Sequence, residues 1–169
     1  MKSIDIANAL IRDYGDQFIF TNLKLNKIVY YTQVESLRAS NKPLFSDPIE
    51  AWQYGPVEPA VYHTFKKYGS SPILAPTASP QLDEYEASIL TKVIQKYAGL
   101  TAFDLVNLTH KPGGAWSKAC QLGYGTVITN DMIRETLGSE NLIKSDTLAY
   151  NIQQVESRWP NALRMLEDS

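Results

Sequence analysis

The chain has 169 residues, 44% apolar and 20% charged, which suits one packed domain and excludes a disordered polyelectrolyte. Residues 1–120 carry a net charge of +1 and residues 121–169 a net of −3, so neither part is basic enough to make gripping nucleic-acid phosphates its main business. The single cysteine, Cys120, excludes an internal disulfide or a cysteine-based zinc site and points to a reducing compartment. Asp5, Arg12 and Asp13 interrupt the first apolar pattern, so no signal peptide is expected, and no run has the length of a membrane span. The expected location is the cytoplasm.

Ile4, Ala7, Leu10, Ile11 and Tyr14 recur at helical spacing over residues 3–14, with Gly15 as a stop. A second helix starts after Thr21 or Asn22 and runs through "NLKLNKIVYYTQVESLRAS". At 100° per residue, Leu25, Ile28, Val29 and Thr32 share one side and Leu23, Tyr30, Val34 and Leu37 the other. Two apolar sides mark a helix sandwiched between others. Lys24, Lys27, Tyr31 and Glu35 fill the remaining strip, where the two lysines are either solvated or a site for a partner's acidic group.

In "KPLFSDPIEAWQY" two short runs flank Ser46-Asp47-Pro48, which predicts a small β-hairpin turning there, or two extended pieces, with Phe45, Ile49 and Trp52 inward. Gly55 and Glu58 each precede a proline and should be extended. Pro59 then opens a helix capped by Glu58, with Val61, Phe65 and Tyr68 inward, Tyr62 at the edge and His63, Lys66 and Lys67 outward. The proline-rich "GSSPILAPTASP" reads as a long loop. Capping-box pairs Asp83/Glu86 and Thr101/Asp104 open two further helices, the second ending at His110. "WSKACQLG" suggests a helical turn, "GTVIT" a short strand and residues 130–137 a helix. In the tail, Leu148, Ile152, Val155 and Trp159 form a narrow apolar stripe that packs on the domain or seals a homodimer or partner contact. The fold class is mainly α: a compact single-domain helical fold with a central two-sided helix and a small β-hairpin.

Signatures of catalysis are missing. His63 and His110 stand in no metal-binding spacing, so no metal site and no cofactor are expected. "GGAWSK" lacks the Gly-Lys-Ser/Thr ending of a phosphate loop, and "GYGTVI" lacks the third glycine of a dinucleotide fingerprint. His63 reads as a surface histidine and His110 as a helix-ending one, and Cys120 as a small buried side chain. Eleven of the 18 aromatic residues lie between Tyr14 and Tyr68, which suits a core alone or a core plus an exposed recognition patch.

Residues 22–27 (Asn-Leu-Lys-Leu-Asn-Lys), 42–45 (Lys-Pro-Leu-Phe), 50–57 (Glu-Ala-Trp-Gln-Tyr-Gly-Pro-Val) and 108–110 (Leu-Thr-His), followed by Trp116, occur in that order. The chain resembles the Panacea domain, the SocA-like antitoxin domain of GepA-type phage-associated proteins, over about residues 1–137. It departs from the family pattern at Gly113-Gly114-Ala115, where many members carry an acidic residue and a proline.

The resemblance implies a helical domain over 1–138; beyond the part it matches, the tail stripe predicts a C-terminal helical extension, 139–169, packing on it. It further implies an antitoxin-like role without enzymatic chemistry, in which a cognate toxin, encoded by the adjacent gene, is neutralised by direct protein–protein contact. The partner-binding residues expected are Lys24, Lys27, Tyr31, Trp52, Tyr54, Gly55, Pro56, His110 and Trp116. Direct nucleic-acid binding is not expected, and a homodimer stays open. The alternatives are an enzyme with a site near His110 and Trp116, and a prophage regulatory or scaffold protein.

Overall fold

The computed structural model describes residues 1–138 and 144–156. Its elements are α1 (Ser3–Tyr14), α2 (Asn22–Ser40), β1 (Glu50–Trp52), β2 (Gly55–Val57), α3 (Pro59–Phe65), α4 (Glu84–Tyr97), α5 (Ala102–Thr109), α6 (Ala115–Gln121) and α7 (Asn130–Glu135), and residues 148–156 are also helical. The mainly helical class with one small antiparallel hairpin matches the sequence expectation. Helix starts lie where local chemistry puts them. Thr21 accepts from Lys24 N, and Glu58 accepts from Ala60 N and Val61 N behind Pro59. Both capping boxes, Asp83/Glu86 and Thr101/Asp104, form.

The central helix is α2, which touches α1, α3, α4, α5, α7 and β2. It is enclosed more fully than a two-sided helix. Every residue from Leu25 to Leu37 is buried, including Asn26, Lys27, Thr32, Gln33, Glu35 and Ser36. The strip expected to carry solvated lysines is therefore interior at Lys27, Tyr31 and Glu35, because α4 and α5 lie over it.

Enclosure is tolerated because the buried polar side chains bind loop backbone. The Gln33 amide accepts from Leu44 N and Phe45 N and donates to Phe45 O and Asn130 Oδ1. Ser36 Oγ donates to Lys42 O, and Asn26 Oδ1 accepts from Glu58 N. Polar residues of α2 thus position the chain that wraps it.

The hairpin is displaced from its expected place. Its strands pair Glu50 with Val57, Ala51 with Pro56 and Trp52 with Gly55, so the turn is Gln53-Tyr54 and not Ser46-Asp47-Pro48. Asp47 instead accepts from Ser3 N at 2.7 Å, at the start of α1. Gly55 can close the two-residue turn because its φ is +108°, a conformation that favours glycine. The "GTVIT" segment lies along the other edge of β1: Ala51 exchanges hydrogen bonds with Gly125 N and Thr126 O, and Ile128 N donates to Ile49 O. It forms a bridge at Val127 rather than a strand. Phe45 and Ile49 are inward, as expected, and Trp52 is half-buried.

Candidate functional site

The hairpin is held from three sides. The buried Lys27 Nζ donates to Pro56 O at 2.9 Å, Trp116 Nε1 to Trp52 O at 2.8 Å, and Glu58 N to Asn26 Oδ1 at 3.1 Å. A Cβ on Gly55 would stand 2.7 Å from Lys27 Cε and 2.8 Å from Thr109 Oγ1, so α2 and α5 both press against the glycine. The His110 ring lies flat on Trp116, with centroids 3.7 Å apart and planes at 3°. Its Nε2 is buried with no hydrogen-bond partner among the described residues.

Burial sets the electrostatics of this knot. Desolvation pulls the Lys27 ammonium down to about 7, because no carboxylate among the described residues pairs with it. Burial also lowers His110, and the nearby Lys27 charge lowers it further. Two groups that disfavour each other's protonation thus sit behind the hairpin.

Of the nine sequence-predicted partner residues, five belong to this interior knot: Lys27, Gly55, Pro56, His110 and Trp116. Lys27, Gly55 and Pro56 are buried and present no side-chain surface to a partner. Tyr31 is also interior, stacked on Tyr97 at 4.2 Å. Lys24 is half-buried, away from the hairpin, and donates to Ala98 O at 2.6 Å. Trp52 and Tyr54 are the ones that reach a common surface. Tyr54, at the hairpin tip, is 61% exposed.

Trp52 meets Tyr62 edge-to-face at 4.9 Å, and its Nε1 donates to Glu50 at 2.8 Å. A groove of about 460 Å³ opens beside them, lined also by Leu23, Val57 and Lys66. Trp52 and Gln53 further line a second hollow with Tyr124, which is 74% exposed. Sequence reasoning missed Leu23 and Tyr124 as surface groups. Tyr124 had a signal: it stands between Gly123 and Gly125, both at positive φ, and these lift it onto a turn.

A separate polar cluster lies on α2 and α4. The Glu35 carboxylate is fully buried and receives Tyr97 Oη at 2.8 Å, Lys96 Nζ at 2.8 Å, Lys92 Nζ at 3.0 Å and the Arg38 guanidinium. Burial opposes its ionisation, but the hydrogen bonds and cations outweigh burial and hold the carboxyl at about 2. Tyr97, desolvated and facing that charge, is pushed up.

The Asp104 carboxylate joins two helix starts. It accepts from Thr101 N and Oγ1 at the start of α5, and from Leu148 N and Ala149 N, which open the 148–156 helix. Leu148, Ile152 and Val155 are 41%, 43% and 63% exposed; Trp159 of the expected stripe lies outside the described residues. Among the described residues, no group of three or more His, Cys, Asp or Glu is placed to hold a metal, and no helix is long and apolar enough to cross a membrane.

The antitoxin SocA-like, Panacea domain family matches residues 25–117, a stretch that contains α2 from Leu25 onward, the hairpin, Thr109, His110 and Trp116. The chain is also similar to antitoxin SocA of Caulobacter vibrioides (strain NA1000 / CB15N), 27% identical over 132 residues, which cover 68% of this chain and 70% of that protein. No solved structure matches. Since the matched stretch runs over more than half of the sequence and takes in the elements that build the hairpin knot, this chain belongs to the antitoxin SocA-like, Panacea domain family.

Proposed function

We propose that this protein is an antitoxin that neutralises a cognate toxin, encoded by the adjacent gene, by direct protein–protein contact in the cytoplasm and without enzymatic chemistry of its own. The observation that carries the reading is the hairpin. Hydrogen bonds from Lys27 of α2 and Trp116 of α6 hold its backbone, and Glu58 N, directly after it, donates to Asn26 of α2, while its tip projects Tyr54 into solvent. A rigidly mounted aromatic loses little conformational freedom on docking and contributes a large contact area, which is what an interface anchor requires. Trp52, Tyr62 and Tyr124 extend the aromatic area around it.

In this reading Lys27, Gly55, Pro56, His110 and Trp116 act from behind, by setting the hairpin, and Tyr54 and Trp52 make the contact. The same reading takes 139–169 as an extension of the 1–138 body, of which residues 144–156 are described. The bonds that Leu148 N and Ala149 N donate to Asp104 support its docking, and the exposed Leu148, Ile152 and Val155 give it a further contact face.

Co-expression with the adjacent gene's product tests the proposal. The wild-type chain should copurify with that product and restore growth. Tyr54→Ala combined with Tyr124→Ala should weaken the complex by at least about tenfold with the melting temperature unchanged. A neighbouring product that is harmless alone and stays unbound overturns the reading.

A further inference from the structure

The groove beside Trp52 runs between the first turn of α2, the hairpin tip and the end of α3. Its floor is not a free polar cradle. Asn22 Nδ2 donates to Tyr62 O, Asn26 Nδ2 donates to Asn22 O and Oδ1, and Asn26 Oδ1 accepts from Glu58 N. These amides are committed to the fold, so a sugar or a nucleobase would find few hydrogen-bonding groups there. What the groove offers is apolar and aromatic: Leu23, Val57, Trp52, Tyr62 and Tyr54.

Charge narrows the choice of occupant. Among the described residues Lys66 is the charged residue of the lining, with the exposed Lys67 next to it and the exposed His63 three residues before. No carboxylate of the described residues lines the groove. The two nearest in sequence to its walls lie outside the lining: Glu58 is 3% exposed and accepts from Ala60 N and Val61 N, and the half-buried Glu50 is held against Trp52 Nε1. Within the lining a basic segment would meet Lys66 as a like charge, whereas an acidic one is complementary to it. The second hollow, of about 580 Å³, shares Trp52 and Gln53 with the groove and so adjoins it at the hairpin. Two adjoining hollows suit an extended segment of several residues.

We infer that the groove receives a short extended segment of the partner protein, one that carries a large aromatic or aliphatic anchor flanked by carboxylates. The anchor lies against Trp52 and Tyr62, and the carboxylates face Lys66. This rests on the antitoxin reading for the existence of a partner, but the chemistry of the groove can be read without that partner.

The test is selection of random displayed 12-residue peptides on the immobilised full chain, followed by binding of the enriched peptides, fluorescein-labelled, to variants. Enriched sequences should be net negative and contain Trp, Phe or Leu. Binding should weaken by about tenfold on Tyr54→Ala and about fivefold on Lys66→Glu, and should fall as salt rises. Both side chains are exposed, so the melting temperature should not move.

Enrichment of basic or uncharged sequences, no enrichment, or peptides indifferent to both variants overturns the inference. The two readings fail separately. A toxin that copurifies equally with wild type and Lys66→Glu, while no acidic peptide is selected, sinks the groove assignment and leaves the antitoxin reading. Acidic peptides selected while the neighbouring product is neither toxic nor bound sink the antitoxin reading and leave the groove.

Discussion

Lys27 Nζ donates to Pro56 O at 2.9 Å from a side chain that is fully buried, tying the central helix to strand β2 through a cation with no ion pair among the described residues. A lysine so placed is a built-in cost in the protonated state, and the fold carries it because the bond sets the hairpin that presents Tyr54.

That relationship gives stability a pH dependence. The folded Lys27 ammonium titrates near 7 and the unfolded one near its ordinary 10.5. Between those values the unfolded chain binds a proton that the folded chain does not, so stability contributed here rises with pH across about 7 to 10.5. Lys27→Met keeps the apolar stem and removes the titration. Urea denaturation at a series of pH values should show wild type gaining stability relative to the background slope of Lys27→Met as pH rises from 7 to 10. Parallel curves would show that the amine is charged in the folded state.

Gly55→Ala should be costly despite the small change. The position has φ +108°, and the added methyl would lie 2.7 Å from Lys27 Cε and 2.8 Å from Thr109 Oγ1. Strain and overlap together should cost about 2 kcal/mol or more, which is a fall of at least about 4 °C in melting temperature for a chain of this size. An unchanged melting temperature would mean that the hairpin moves freely against α2 and α5.

Glu35 collects Lys92, Lys96, Arg38 and Tyr97, with the carboxylate buried and Lys92 and Lys96 48% and 40% exposed. Glu35→Ala should destabilise by about 3 kcal/mol, the low end for breaking a buried ion pair, because the cations can turn to water. The folded pKa is depressed, so the contribution is present above the ordinary carboxylate range and is lost as pH falls toward about 2. Acid titration of wild type against Glu35→Gln, followed by circular dichroism, reads this directly. Coincident acid transitions would refute it.

Asp104→Ala removes the acceptor from both α5 and the helix at 148–156. The cost should be about 1–2 kcal/mol, typical of a lost cap, and amide exchange should accelerate selectively at Leu148 and Ala149. Exchange that stays slow there would show that packing, not Asp104, holds the helix start.

Much of the local architecture is legible in the sequence because its causes lie within a few residues. Thr21, Glu58-Pro59, Asp83/Glu86 and Thr101/Asp104 each declare a helix start through side-chain–backbone bonds three residues long. The inward Val61 and Phe65 of α3, and the outward His63, Lys66 and Lys67, follow from helical periodicity.

The candidate site was less legible because its causes are long-range. Periodicity assigns Lys27 and Glu35 to a polar strip, but only packing by α4 and α5 turns that strip inward. Ser46-Asp47-Pro48 has turn chemistry that the tertiary structure spends on Ser3 at the start of α1, while the hairpin closes at Gln53-Tyr54. The sequence alone determined which residues begin helices and which stretches the family shares, since those depend on neighbours along the chain. Tertiary structure alone decided that Lys27, Gly55, Pro56 and Tyr31 lie inside while Tyr54, Trp52, Leu23 and Tyr124 meet solvent, because burial depends on what other segments cover.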